Sequence, residues 1–543
     1  MCRPLTRREM LRYGALVAAT PLIPCEAWTP IKAFAAAAAT AVPMNLELVT
    51  LTETSAVFTW FTGDPTSLDQ FHRPTPVPAN TRLYLGPSPL ALQKVVDRSD
   101  DTPYHYVEVS GLTPGTTYAF RAESNGLVAV PTAYTIPGQS PQPDPSLGGL
   151  FTTPLPPPGR FLFSMTWGND LHIGEMTSGL AFQNLPPGYG SDPGQPPYTH
   201  VMAQAAITES KARGASLMLL AGDLTSEAEP VNMDFAKKTF DQFGQYRRDY
   251  FVTRGNHDRA HSGAMYNACQ PVKGSAGYND CLRDYFFPDG QTYFSFDRHG
   301  IHFTALDTNQ PLTGFGALPP GEIEWLDSDL KAHSHMPTFV FGHHQVSDES
   351  RLTTLGVPNS FTMNQSDATA MQQAAAMGSV VGWYAGHTHR NKRTVSPLAP
   401  NTPFIELGAV KEYPGGYGLI RVFEGGYALN FYKTRSDPAR AWSERSRGEY
   451  LGLYPYYTLG ALSDRNFVVP ADFSDAARAI FGGAASTPTP ASSPVGPKVA
   501  GGGLPGTGGG EDAVLAVAVG AVSVAGAIAG ARQLHRKSAI VER

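Results

Sequence analysis

The chain has 543 residues and a formal net charge of −6, with 41 basic and 47 acidic side chains. That length accommodates more than one hydrophobic core. The acidic balance disfavours sustained nucleic-acid binding, so no nucleic-acid partner is expected.

At the N-terminus, Thr6-Arg7-Arg8-Glu9-Met10-Leu11 precedes a mildly apolar stretch through Leu16-Val17-Ala18-Ala19, and Ala39-Thr40-Ala41 offers an A-x-A cleavage site. Residues 1–41 therefore resemble a twin-arginine signal peptide, which implies passage through the twin-arginine export machinery and a mature chain beginning near Val42. Residues 42–158 read as all-β. Ala56-Val57-Phe58-Thr59-Trp60-Phe61, Thr81-Arg82-Leu83-Tyr84-Leu85 and Tyr104-His105-Tyr106-Val107-Glu108-Val109 have strand character. With the following Gly111-Leu112-Thr113-Pro114-Gly115-Thr116-Thr117-Tyr118, the segment resembles a fibronectin type III sandwich. The resemblance makes Trp60 the buried indole and Tyr118 the tyrosine corner. The role expected of such a domain is that of a spacer and packing partner.

Prolines at 154–158 mark the next boundary, and 159–481 is the expected catalytic domain. Five apolar runs there read as buried strands: Phe161-Leu162-Phe163, Leu217-Met218-Leu219-Leu220, Tyr250-Phe251-Val252, Phe339-Val340-Phe341 and Val380-Val381-Gly382-Trp383-Tyr384. Each precedes a short polar block. In order these are Asp170-Leu171-His172, Gly222-Asp223, Gly255-Asn256-His257-Asp258, Gly342-His343-His344 and Gly386-His387-Thr388-His389. Oxygen and nitrogen donors thus sit at the carboxyl ends of successive strands, where an open α/β sheet places its site. A Gly/Pro-rich loop over 174–198 and an insertion over 259–282 follow two of these blocks, and such loops commonly select substrate. Residues 404–407 and 417–422 read as closing strands of a second sheet.

The ordered set resembles the calcineurin-like metallophosphoesterase superfamily. That resemblance implies a sandwich of two mixed sheets flanked by helices, hence an α/β fold behind the all-β N-terminal domain. It also implies two metal ions. One takes Asp170, His172 and His389, the other takes Asn256, His343 and His387, and Asp223 bridges them. Which of His343 and His344 is the ligand is a preference for the first, because neighbours in extended backbone face opposite ways. Carboxylate, imidazole and amide donors suit Mn, Fe or Zn, divalent or trivalent. The implied reaction is hydrolysis of a phosphate-ester substrate by a metal-bridging hydroxide, with His257 as general acid and Asp258 orienting its ring. His172 and Ser226 stand where purple acid phosphatases have glycine and tyrosine, which favours the non-purple, His-ligated branch. Alternatives are a phosphodiesterase for cyclic nucleotides or lipid head groups, or a non-catalytic surface binding protein on the same scaffold.

Beyond the catalytic domain, 482–503 is nearly all Gly, Ala, Ser, Thr and Pro, the composition of an extended spacer. Residues 504–543 begin with Leu504-Pro505-Gly506-Thr507-Gly508, continue in an apolar run over 513–531 and end with Arg532, Arg536 and Lys537 nearby. They resemble a Gram-positive LPxTG sorting signal, which implies sortase cleavage between Thr507 and Gly508, joining to peptidoglycan, and a transient membrane association through 513–531. The protein is therefore expected to be exported and wall-anchored. Only Cys269 and Cys281 would survive processing. They lie close in sequence, and export leads to an oxidising compartment, so they are expected to pair.

Overall fold

The computed structural model describes residues 41–482 apart from 70–72, 132, 135–141, 144–147, 180–187, 310–311, 355–361 and 450–454. Apart from Ala41 and Gly482, the expected signal and spacer lie outside the described residues, as do Thr507, Gly508 and the 513–531 run. No helix among the described residues is long and apolar enough to cross a membrane.

The N-terminal part is built from two antiparallel sheets. One joins Val42–Leu51, Ser55–Leu68 and Pro74–Pro76, with Tyr104–Ser110 also paired to Ser55–Leu68. The other runs Leu150–Thr152, Thr117–Ser124, Ala79–Gly86, Gln93–Thr102. Alternating side chains of both sheets share one core: Leu48, Phe58 and Val107 meet Leu83, Phe120 and Phe151. Trp60 is buried there, donates Nε1–H to Ser124 Oγ at 2.9 Å and stacks on His105 at 4.7 Å. The Thr113 amide donates to Tyr118 Oη at 2.9 Å, pinning the turn that precedes Thr117–Ser124.

The catalytic part is α/β. Its first sheet has the order Tyr250–Val252, Ala215–Leu220, Phe161–Gly168, Gly416–Phe423, Gly426–Lys433, Asn466–Pro470. The first three strands are mutually parallel and the rest antiparallel. The second sheet runs Phe294–Arg298, Ile301–Ala305, Thr338–Phe341, Val380–Ala385, Ala399–Glu406, Lys392–Ser396, parallel through its four central strands. Facing side chains interdigitate between them, with Met165, Trp167, Leu219 and Ile420 against Phe303, Phe339, Tyr384 and Ile405. Helices Tyr198–Ala212, Pro230–Phe240 and Asp437–Ser446 cover the outer face of the first sheet, and Glu322–Ala332 and Gln365–Met377 that of the second. Strands buried on both faces explain the unbroken apolar runs.

One expectation needs correction. Residues 417–422 do not close the second sheet: Gly416–Phe423 inserts into the first, antiparallel to Phe161–Gly168. An apolar run specifies burial on both faces but not the sheet that supplies it.

Candidate metal centre

The five polar blocks converge at the carboxyl ends of the parallel strands. Asp170, Asp223 and Asn256 follow strands of the first sheet, and His343, His387 and His389 follow strands of the second. The site therefore lies on the seam between the sheets. The turns are tight. Asp170, His172, Asp223, His387 and His389 all have left-handed φ, between 44° and 68°, a conformation uncommon outside glycine and concentrated at functional sites. The glycines allow close approach as well: a Cβ on Gly255 would lie 2.1 Å from Asp223 Oδ1, and one on Gly386 would lie 2.7 Å from Asp170 Oδ2.

Two clusters of donor atoms result, Asp170 with His172 and His389, and Asp223 with His343 and His387, and a third group joins His257 to His172 and Asp223. His389 Nε2 is 3.3 Å from Asp170 Oδ1. Asp223 Oδ2 lies 3.3 Å from His172 Nε2 and 3.2 Å from His343 Nε2, between the clusters. Asn256 Oδ1 is 2.9 Å from both His343 Nε2 and His387 Nδ1. His344 belongs to neither cluster, its Nδ1 lying 3.0 Å from Thr308 Oγ1 and its ring 4.5 Å from that of His387.

Two of the histidines hydrogen-bond an acceptor through Nδ1, which leaves Nε2 for the cluster, and a third, His172, has a carboxylate at ion-pair distance from Nδ1. His343 donates to the Ala221 carbonyl at 2.8 Å, His389 Nδ1 is 2.6 Å from Glu412 Oε1, and His172 Nδ1 is 3.0 Å from Glu175 Oε2. This is how metal-ligating imidazoles are oriented. The site also demands positive charge. Burial alone would push His343 and His389 down, yet Asp223 lifts the former and Glu412 with Asp170 the latter to about 9. Burial likewise opposes ionisation of Asp170, but His389 and His172 hold its carboxyl far below the usual range. Carboxylate, imidazole and amide oxygen in this arrangement fit Mn, Fe or Zn.

His257 stands beside the clusters. Its amide donates to Asp223 Oδ1 at 2.8 Å, its ring lies 4.4 Å from that of His172, and Nδ1 donates to the Ser226 carbonyl at 2.8 Å. Asp258 does not orient that ring, contrary to expectation. Its carboxylate accepts from the Leu224 and Thr225 amides at 2.9 and 3.0 Å, from Thr225 Oγ1 at 2.9 Å and from the Gly255 amide at 3.2 Å. It clamps the second block to the third, and neighbours in sequence simply point apart here. Burial, reinforced by Asp223, pushes its carboxyl up to about 6.

Glu175, Lys411 and Glu412 were not singled out from sequence. Lys411 Nζ reaches Glu175 Oε1 at 2.7 Å and Glu412 Oε2 at 3.1 Å, so the partners of His172 and His389 share one cation. Glu175 lies three residues after His172, a weak signal, while nothing local marks Glu412. In the insertion, Cys269 and Cys281 form a disulfide with Cα atoms 5.0 Å apart. His261 pairs with Glu227 at 3.2 Å and stacks on Tyr266, apart from the donor clusters. A separate group holds Asp297, His302 and His333. Its two imidazoles stack at 3.6 Å and 12°, so their in-plane lone pairs run nearly parallel and do not converge on one ion.

Residues 169–391 match the family model of the calcineurin-like phosphoesterases. The chain carries a calcineurin-like phosphoesterase domain. With its converging donors, this phosphoesterase domain makes the protein a metal-dependent phosphoester hydrolase. No curated protein matches the chain in sequence. Among solved structures, a dimetal phosphatase from Danio rerio is 13% identical with a TM-score of 0.36, covering 51% of this chain and 98% of its own. A purple acid phosphatase from yellow lupin (Lupinus luteus) seeds is 14% identical with a TM-score of 0.38, covering 80% and 76%. A structure of PhoD is 12% identical with a TM-score of 0.33, covering 73% and 87%.

Proposed function

We propose that the protein is an exported, cell-wall-anchored phosphoesterase of the His-ligated, non-purple branch, working with two metal ions. The observation that carries the dinuclear part is the position of Asp223 Oδ2, within 3.3 Å of His172 Nε2 on one side and His343 Nε2 on the other. In this reading Asp170, His172 and His389 hold one ion, Asn256, His343 and His387 hold the second, and Asp223 serves both. Two such ions supply the charge that makes water nucleophilic near neutral pH and offsets charge on the phosphate oxygens.

The chain's own residues supply the rest. Asp223 accepts the His257 amide and so fixes the imidazole beside the ligands. Because Nδ1–H donates to Ser226 O, Nε2 is the atom that gives a proton to the leaving alkoxide once the ring is doubly protonated, a state that burial opposes, holding the pKa below its ordinary value, and that Asp223 favours. The N-terminal sandwich is read as fibronectin type III-like, supported by the Tyr118 corner and the buried Trp60. The twin-arginine and LPxTG resemblances support export and anchoring. The test is hydrolysis of mono- and diester model substrates by metal-free protein with Mn, Fe or Zn added back. Restored turnover is expected, and the ratio of the two rates assigns the substrate class. No restoration by any of the three metals overturns the reading.

A further inference from the structure

We propose that the N-terminal sandwich is a positioning device for one half of the metal centre, with Glu47 acting through Tyr413 on the Lys411–Glu412 pair that orients His172 and His389. This rests on the dinuclear reading above.

Glu47 lies on Val42–Leu51 and is 1% exposed. Its Oε1 accepts from Tyr413 Oη at 2.6 Å and pairs with Arg447, and its Oε2 pairs with Lys433 at 3.0 Å. A buried carboxylate held by two cations and a phenol has one stable arrangement, and apart from Thr59 Oγ1 of the sandwich, which donates to Oε2 at 3.2 Å, these partners belong to the catalytic part. Tyr413 directly follows Glu412. The same segment is held further by Ser446 Oγ, which accepts the Tyr413 amide at 2.8 Å, and by Trp442 Nε1, which donates to the Lys411 carbonyl at 2.6 Å.

From there the contacts among the described residues lead to the Asp170 side of the centre. Glu412 Oε1 takes His389 Nδ1, and its Oε2 accepts from Ser178 Oγ at 2.7 Å. Lys411 holds Glu175, which faces His172 Nδ1. On the other side, His343 is oriented by the Ala221 carbonyl at the end of a catalytic strand. The sandwich therefore bears on His172 and His389 through carboxylates that set their ring orientation, the kind of contact that governs metal affinity.

The molecule provides its own control. Glu53 of the sandwich pairs with Arg421 at 2.6 Å, and Arg421 also reaches Asn430 at 3.1 Å on the neighbouring strand. This pair joins the same two parts without touching the Lys411–Glu412 segment.

Metal-free full-length protein carrying Tyr413→Phe, Glu47→Gln or Glu53→Gln is titrated with Mn²⁺ by calorimetry, with bound metal counted by mass spectrometry. Wild type and Glu53→Gln are expected to bind two ions with the same two affinities. Tyr413→Phe and Glu47→Gln should weaken one site by about tenfold or more and leave the other unchanged. If Glu47→Gln does not fold, Tyr413→Phe, which removes a single hydroxyl, carries the test. Equal behaviour of Tyr413→Phe and Glu53→Gln, or a matched weakening of both sites, overturns the proposal. A wild type that binds only one ion overturns the dinuclear reading instead, and the proposal with it.

Discussion

The His257 amide donates to Asp223 Oδ1 at 2.8 Å, so the carboxylate between the two donor clusters also anchors the residue proposed to protonate the leaving group. One side chain thus touches both donor clusters and the proposed general acid. Asp223→Asn keeps the shape but removes the shared charge. It should cost more than the roughly 10²–10³-fold typical of losing a single transition-state contact, and more than loss of any one terminal ligand. Near-normal turnover with two bound metals would sink the shared-ligand assignment.

His257→Ala should depend on the leaving group. Alkyl esters, whose alkoxides need a proton, should slow by roughly 10²–10⁴-fold, and activated aryl esters much less. Equal losses on both would make His257 a structural residue.

His302 offers a pH prediction away from the centre. Burial lowers its pKa, but Asp329 at 2.9 Å and Asp297 at 2.6 Å outweigh this and raise it. A group raised on folding stabilises fully below its unfolded pKa of about 6.5 and loses that contribution as pH rises through the folded value. Melting temperature should therefore fall from neutral into mildly alkaline pH, and His302→Gln should flatten that slope. An unchanged slope in the variant would refute the assignment.

The disulfide closes a short loop, its cysteines lying 12 positions apart in sequence. Loops of that size are worth about 3 kcal/mol or less. Reductant, or Cys269→Ser, should speed proteolytic cleavage within the 259–282 insertion while sparing the sheets. Identical cleavage patterns with and without reductant would argue that the bridge does not form in solution.

Anchoring separates two products. With sortase processing, the mature chain ends at Thr507, resists detergent and is lost from the wall by Thr507→Ala. With a permanent anchor, detergent releases a chain still carrying Arg536 and Lys537. C-terminal mass spectrometry of wall-released protein is expected to show Thr507; an intact end at Arg543 would defeat the claim.

The donor blocks were legible because each is local: a buried strand, a tight turn that in four of the five carries a glycine, then the donors within a few residues. What needed the fold was direction. Asp258 adjoins His257 yet grips Leu224 and Thr225. Glu412 orients His389 from 23 positions away, brought there by the return into the first sheet. The Gly416–Phe423 strand was visible as a strand, but its neighbours depend on where the chain crosses back. In the sandwich, the places of Trp60 and Tyr118 came from a family resemblance, while Glu47, a lone acidic residue in an apolar strand, gave no hint of its partners 366 to 400 residues on.

Placing the donors on the seam gives the proposed ions a mechanical office besides their chemical one. Ions gripped by Asp170, Asp223 and Asn256 from one sheet and by His343, His387 and His389 from the other would rivet the two halves of the catalytic core together. Ligand that binds only the folded state adds about 2.7 kcal/mol at a hundredfold excess over its dissociation constant. Metal scarcity would then shorten the protein's lifetime as well as slow its turnover, because the two sheets would lose a shared tie.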